Sequence, residues 1–153
     1  MPDPISFPST TRHTDLPLLF AGQSQKEFFL NQSLVTIDAL LIRSVESVLN
    51  APPENALEGD CYLIGATPTG DWTGQGENLA IRIGESWTFV EPIEGMELFD
   101  RAAGQKLIYR SQWFEPIAPS QPEGGAVVDV EARAFISALA NTLKTAGILA
   151  EPV

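Results

Sequence analysis

The sequence predicts an α+β fold: a long N-terminal helix, a small antiparallel β-sheet module and a short C-terminal helix, with an oligomer formed through the helices. Three observations carry this reading. Leu30, Leu34, Ile37, Leu41, Val45 and Val48 recur at helical steps of three and four. Between residues 51 and 115 the pattern changes to short apolar or alternating runs broken by Gly, Pro and Asp, as strands and turns require. A second periodic stretch follows a segment rich in Pro, Gly and Ser.

Residues 1–23 read as an extended arm. Pro2, Pro4 and Pro8 stand among Ser, Thr and Asp, so no secondary structure is expected up to Asp15. Ile5 and Phe7 give the arm something to dock with: in an oligomer it lies on a neighbour, and alone it frays. Pro17 biases Leu16 away from helix. The long helix is assigned to residues 24–50, with Ser24 as N-cap, Glu27 completing a capping box, and Pro52-Pro53 as the stop. At 1.5 Å per residue it spans roughly 39 Å, which calls for a partner along its length.

The sheet module covers residues 51–115. Its strands are read at Cys61–Ile64, Leu79–Ile83, Trp87–Val90, Met96–Phe99, Lys106–Arg110 and Gln112–Phe114, with hairpin turns at Gly84-Glu85-Ser86 and Ala103-Gly104-Gln105. Leu79, Ile81 and Ile83 alternate with Ala80 and Arg82, which predicts one buried and one wetted face. Residues 116–128 have the composition of a linker. The C-terminal helix is placed at 129–147, with Asp129 as N-cap, Gly147 just past the end, and Ile136, Leu139 and Leu143 on its apolar face. The steps of three and four in both helices suit helix-to-helix seams, in one helix or both, as well as packing on their own sheet.

A hydrophobic content of 44% and a mean hydropathy of +0.02 supply a core without a membrane span, since no apolar run approaches the ~20 residues needed. The N-terminus lacks the basic segment and apolar core of a signal peptide, so folding in a cytoplasm is expected. The formal net charge of −11, from 20 acidic and 9 basic residues, argues against a nucleic-acid partner, whose phosphates need Lys and Arg. It suits a solvated surface instead.

No catalytic set, cofactor site or metal site emerges. His13, the single histidine, stands in the arm and reads as a solvated surface group. Cys61 opens an apolar strand and reads as a small core residue, and a lone cysteine excludes an intrachain disulfide. Gly70 to Gly76 is glycine-rich but has no Walker lysine and opens no helix. The aromatics remain. Trp87 and Trp113 are expected in the core, whereas Trp72 sits in a polar loop, where it is either core or an exposed surface for stacking on a sugar, with Asp71, Gln75 and Asn78 as glycan contacts.

The stretch Leu16-Pro-x-Leu-x-Ala-Gly-Gln-Ser-Gln-Lys26, followed by Asn31, Leu34 and Ile37-Asp-Ala-Leu40, resembles the opening motif of a domain-of-unknown-function family, number 2793, found in tailed phages and gene-transfer-agent clusters. Further blocks agree in order: Pro52-Pro53 with Glu58-Gly-Asp-x-Tyr-Leu-Ile64, Thr69-Gly-Asp-Trp-Thr-Gly74, Ser86-Trp-Thr-Phe-Val-Glu-Pro92, Gln112-Trp-Phe114, and Gly124 to Arg133. One departure is Glu27-Phe-Phe-Leu30, where relatives are more polar. The resemblance implies a structural protein of a virion tail (fibre, baseplate or spike), commonly trimeric, made in a bacterial cytoplasm and working with other tail proteins in assembly and host attachment. A carbohydrate-binding adhesin module that recognises host surface glycan is the alternative, and the two are compatible at a fibre tip. Neither is an enzyme.

Overall fold

The structure, a computed structural model, describes residues 9–22, 26–119 and 129–149. The chain divides into two compact units, Met1–Pro92 and Ile93–Val153, and each is described by itself.

In the first unit the lead-in is more ordered than its proline content suggests. Thr10 and Pro17 form an antiparallel bridge across a turn at 12–14. Leu18 N–H donates to Ser9 O (3.0 Å), and Thr11 N–H to Leu16 O (2.9 Å). Asp15 closes the turn with φ of +54°, a left-handed conformation that aspartate tolerates better than most residues. Residues 9–15 are thus a tight loop, not a formless arm. The expected segment 1–8 and the cap at Ser24 lie outside the described residues.

Helix α1 (Lys26–Ile42) is shorter than the periodicity predicts. Arg43 adopts φ of +53° and takes the chain out of the helix. Beyond it come the short strands β1 (Ser44–Val45) and β2 (Val48–Leu49). Val45 and Val48 are therefore strand residues. Hydrogen bonds from Glu46 N–H to Cys61 O (2.8 Å) and from Leu63 N–H to Ser47 O (3.1 Å) hold this segment against β3. β-branched residues favour such a pleated setting, and pairing prevails over a helical spacing that residues 45 and 48 satisfy by coincidence.

Strands β3 (Cys61–Ile64), β4 (Leu79–Ile83) and β5 (Ser86–Val90) complete a four-stranded sheet in the order β2-β3-β4-β5. The β2–β3 pair is parallel and the other two are antiparallel, so the sheet is mixed rather than purely antiparallel. Both of its faces are covered. Helix α1 packs against β4, and Gln32 Nε2 donates to the Thr88 hydroxyl (3.2 Å), which places α1 on the face of Ile81 and Thr88. On the opposite face Tyr62, Ile64 and Ala80 pack with Trp72, which arrives on a short 3₁₀ turn (Gly70–Trp72). Burial on both sides explains why all four residues of β3 are buried. It also corrects the expected wetted face of β4, where Ala80 is as buried as Leu79 and Ile81.

The second unit contains strands β6 (Glu97–Asp100), β7 (Gln105–Tyr109) and β8 (Trp113–Phe114), which pair antiparallel in that order. The β6–β7 turn is organised by the buried carboxylate of Asp100, whose Oδ1 accepts from Ala102 N–H (2.9 Å) and Ala103 N–H (3.1 Å). Helix α2 (Val130–Thr145) begins where Asp129 accepts from Ala132 N–H (2.8 Å), as an N-cap does. It ends at Gly147, with φ of +67°. Lys106 N–H donates to Gly147 O (2.6 Å), which ties the helix end to β7.

Candidate functional site

Helix α1 is apolar nearly all round, and the sheet covers only part of it. Val35, Asp38 and Ala39 are buried. Leu30, Leu34, Ile37 and Leu41 form a separate row, centred about 120° around the helix from that face at ~100° per residue. Leu30 is 51% exposed, Ile37 53% and Leu41 63%, while Leu34 is half-buried. Phe28 and Phe29 extend the exposed apolar surface at the helix start, with their rings edge to face at 5.6 Å. Four of the six seam residues predicted on the first helix thus lie together on α1. Val45 is buried in β1 and Val48 half-buried in β2, so neither belongs to the row. In the other unit α2 has no buried residue, and Ile136 and Leu139 are each 48% exposed beside the half-buried Leu143.

Three polar residues of α1, Glu27, Asn31 and Asp38, hold the lead-in. Asn31 pairs with both backbone groups of Leu19: Leu19 N–H donates to Oδ1 (2.8 Å), and Nδ2 donates to Leu19 O (3.0 Å). Glu27 Oε1 accepts from Gly22 N–H (3.0 Å). Asp38 receives His13 N–H and Thr14 N–H, each at 2.9 Å, and the Thr14 hydroxyl. Burial pushes the Asp38 carboxyl up, but hydrogen bonds from Thr14, His13 and Thr11 outweigh it and hold the group below the usual aspartate value. Arg12 then reaches the buried Asp60 (2.9 Å), whose other oxygen accepts from Leu57 N–H (2.7 Å) and the Tyr62 hydroxyl (3.3 Å). These roles for Asn31 and Asp38 escape a search for apolar periodicity. A polar residue on the buried side of an apolar helix is the signal that could have found them.

Between the lead-in and the start of α1 lies an open groove of about 450 Å³, floored by Leu18, Leu19, Phe28, Val35 and Ile83. Its rim carries Glu58, which accepts from Gly84 N–H (2.6 Å).

The tryptophan loop is a core element. Trp72 is 0% exposed and packs edge to face on Trp87 at 5.0 Å, with Tyr62 at 6.0 Å from each. It therefore offers no surface for stacking on a sugar, because the sheet uses it to close the face that a polar loop leaves short of aliphatics. Asp71 is exposed, whereas Gln75 and Asn78 are half-buried and bonded to each other (2.9 Å). Arg82 lies over the Trp87 ring at 5.3 Å. Cys61 is buried, and burial followed by the charges of Glu46 and Asp60 pushes its thiol up to about 12, the opposite of an activated nucleophile. Among the described residues no group of three His, Cys, Asp or Glu is placed to hold a metal ion, and no helix is long and apolar enough to cross a membrane.

A family model described as a protein of unknown function, DUF2793, matches residues 30–115, more than half of the chain. The chain belongs to this family. The DUF2793 match begins at Leu30, the first residue of the exposed row, and runs through every strand to the end of β8. Lead-in and α2 lie outside it. No curated protein matches the chain.

Proposed function

We propose that this DUF2793 protein is a structural component of a phage or phage-like tail, as fibre, baseplate or spike, and acts in assembly and host attachment. The observation that supports the reading best is the outward row of Leu30, Leu34, Ile37 and Leu41. Steps of four, three and four seat one helix against another, and a row this apolar left in water marks an interaction surface. The tail setting comes from the resemblance to phage and gene-transfer-agent proteins. In this reading α1 is the seam between copies, three-fold symmetry is favoured, and α2 contacts neighbouring tail proteins. With Trp72 in the core, the glycan-binding alternative retains Asp71, Gln75 and Asn78, of which two are bonded to each other; assembly is the stronger reading.

Light scattering on the full chain tests the seam. The expected result is a trimer that becomes a monomer in a Leu34→Gln/Ile37→Gln variant with unchanged far-ultraviolet circular dichroism. A wild-type monomer across the micromolar range, or an oligomer indifferent to the double substitution, removes α1 as the seam. Absence of the protein from purified tail particles of its host removes the tail assignment separately.

A further inference from the structure

Strand β5 is the outer strand of its sheet, and part of its backbone faces away from the sheet. Arg82 N–H donates to Asp60 O (2.9 Å), and Arg82 O accepts from Gly59 N–H (2.8 Å), so Arg82 turns its backbone toward the β3 side. Along an antiparallel ladder that direction alternates by residue. Leu79, Ile81 and Ile83 therefore turn toward β5, where they face Val90, Thr88 and Ser86. Trp87 and Phe89 are left with N–H and C=O pointing off the sheet, and neither pair finds a backbone partner among the described residues. Their side chains are packed against the Trp72 cluster, so this edge is held in place from behind.

Sheet edges are commonly guarded by a charge, a proline or a bulge within the strand. Ser86–Val90 has no charge and no proline, and its register with β4 is unbroken. Carboxylates stand at its two ends, as the exposed Glu85 and Glu91, while the Arg82 guanidinium of β4 lies over the Trp87 ring and donates to Glu85 O (2.9 Å). Their position bears on what can pair here. If two copies met edge to edge about Thr88, Trp87 of one would face Phe89 of the other, and Glu85 would stand opposite Glu91 at both ends. Like charges directly opposite each other are destabilising, more so in a chain of net charge −11.

We propose that the β5 edge is a docking site for an extended segment of another protein, with Lys or Arg at both ends of an uncharged, strand-forming centre. The segment adds to the sheet beside β5. The outward groups of Trp87 and Phe89 require an extended backbone, and Glu85 and Glu91 select the flanking cations. The site is separate from the α1 row and stands or falls independently of it.

The test uses the full chain and two peptides of about seven residues, each of alternating threonine and valine, one with a lysine and the other with a glutamate at each end. The lysine peptide is expected to shift the Trp87 and Phe89 amide resonances and to bind roughly threefold to tenfold more tightly than its twin at low salt. That advantage fades as salt is added. The E85Q/E91Q variant should bring the two peptides to equal affinity, and E85K/E91K should reverse their order. Equal affinity for the wild-type chain, a preference that survives both variants, shifts confined to residues away from β5, or no binding at millimolar lysine peptide overturns the proposal.

Discussion

Asn31 pairs with both backbone groups of Leu19, accepting at 2.8 Å and donating at 3.0 Å, so one amide on α1 does for the lead-in what a neighbouring strand would do. Replacing it by alanine leaves a half-buried N–H and C=O to find water. Loss of about 1–3 kcal/mol of stability is expected for Asn31→Ala, read from urea unfolding, with faster hydrogen exchange at Leu19 than at β3. Unchanged exchange at Leu19 would show that the clamp is not what orders residues 16–20.

Asp38 should make stability depend on acid. Its folded carboxyl lies below the ordinary value of 3.8, so its contribution is present above that value and is lost as pH falls through the depressed folded value. The native state then takes up a proton later than the unfolded chain does. Asp38→Asn should lower stability at neutral pH and flatten the decline below about pH 4, and an acid limb identical to wild type would contradict this.

Trp72→Ala removes a fully buried indole from the middle of the sheet's second face. A loss of about 3–5 kcal/mol is expected, together with changed fluorescence from Trp87, whose ring lies 5.0 Å away. A variant as stable as the parent would mean that the loop is dispensable to the core.

The Cys61 thiol, raised to about 12 from an ordinary 9.0, should resist thiol reagents at pH 8 and react fully once the chain is unfolded in urea. Because the folded value is raised, its contribution to stability is complete below pH 9 and diminishes as pH rises toward 12. Tyr62, pushed up to about 12 by burial and by Asp60 beside it, works in the same direction. Rapid modification of the native protein would place Cys61 on an accessible surface.

Gly147 terminates α2 in a conformation that L side chains rarely adopt, and a Cβ there would come within 2.9 Å of the Phe99 ring and 3.3 Å of Gly104 O. Gly147→Ala should therefore cost about 1–3 kcal/mol locally, seen as fraying of residues 143–149 by hydrogen exchange. Full protection in the variant would show that α2 is held by something else.

Legibility followed locality. Asp129 and Gly147 bound α2 through chemistry carried by the residues themselves, and the strands at Cys61 and Leu79 stand out because a short apolar run between turn residues has few other solutions. The end of α1 was hidden, since Val45 and Val48 fit a helical row on paper, and only the left-handed turn at Arg43 and, for Val48, pairing with Leu63 take them out of it. Trp72 was ambiguous for a similar reason: its neighbours in sequence are polar, while its neighbours in space are Tyr62, Ile64 and Trp87. At the candidate seam, spacing identified Leu30, Leu34, Ile37 and Leu41 as one row, but only three-dimensional packing shows that the sheet takes a flank about 120° away and leaves Leu30, Ile37 and Leu41 exposed.

The left-handed backbone at Arg43 limits α1 to 17 residues, about 25 Å, or fewer than three heptads. Under the proposed function, a joint of that size would release readily when single and hold when several engage at once. A tail built on it would owe its firmness to the number of joints closed together, and a lone subunit could leave or enter until the ring is complete.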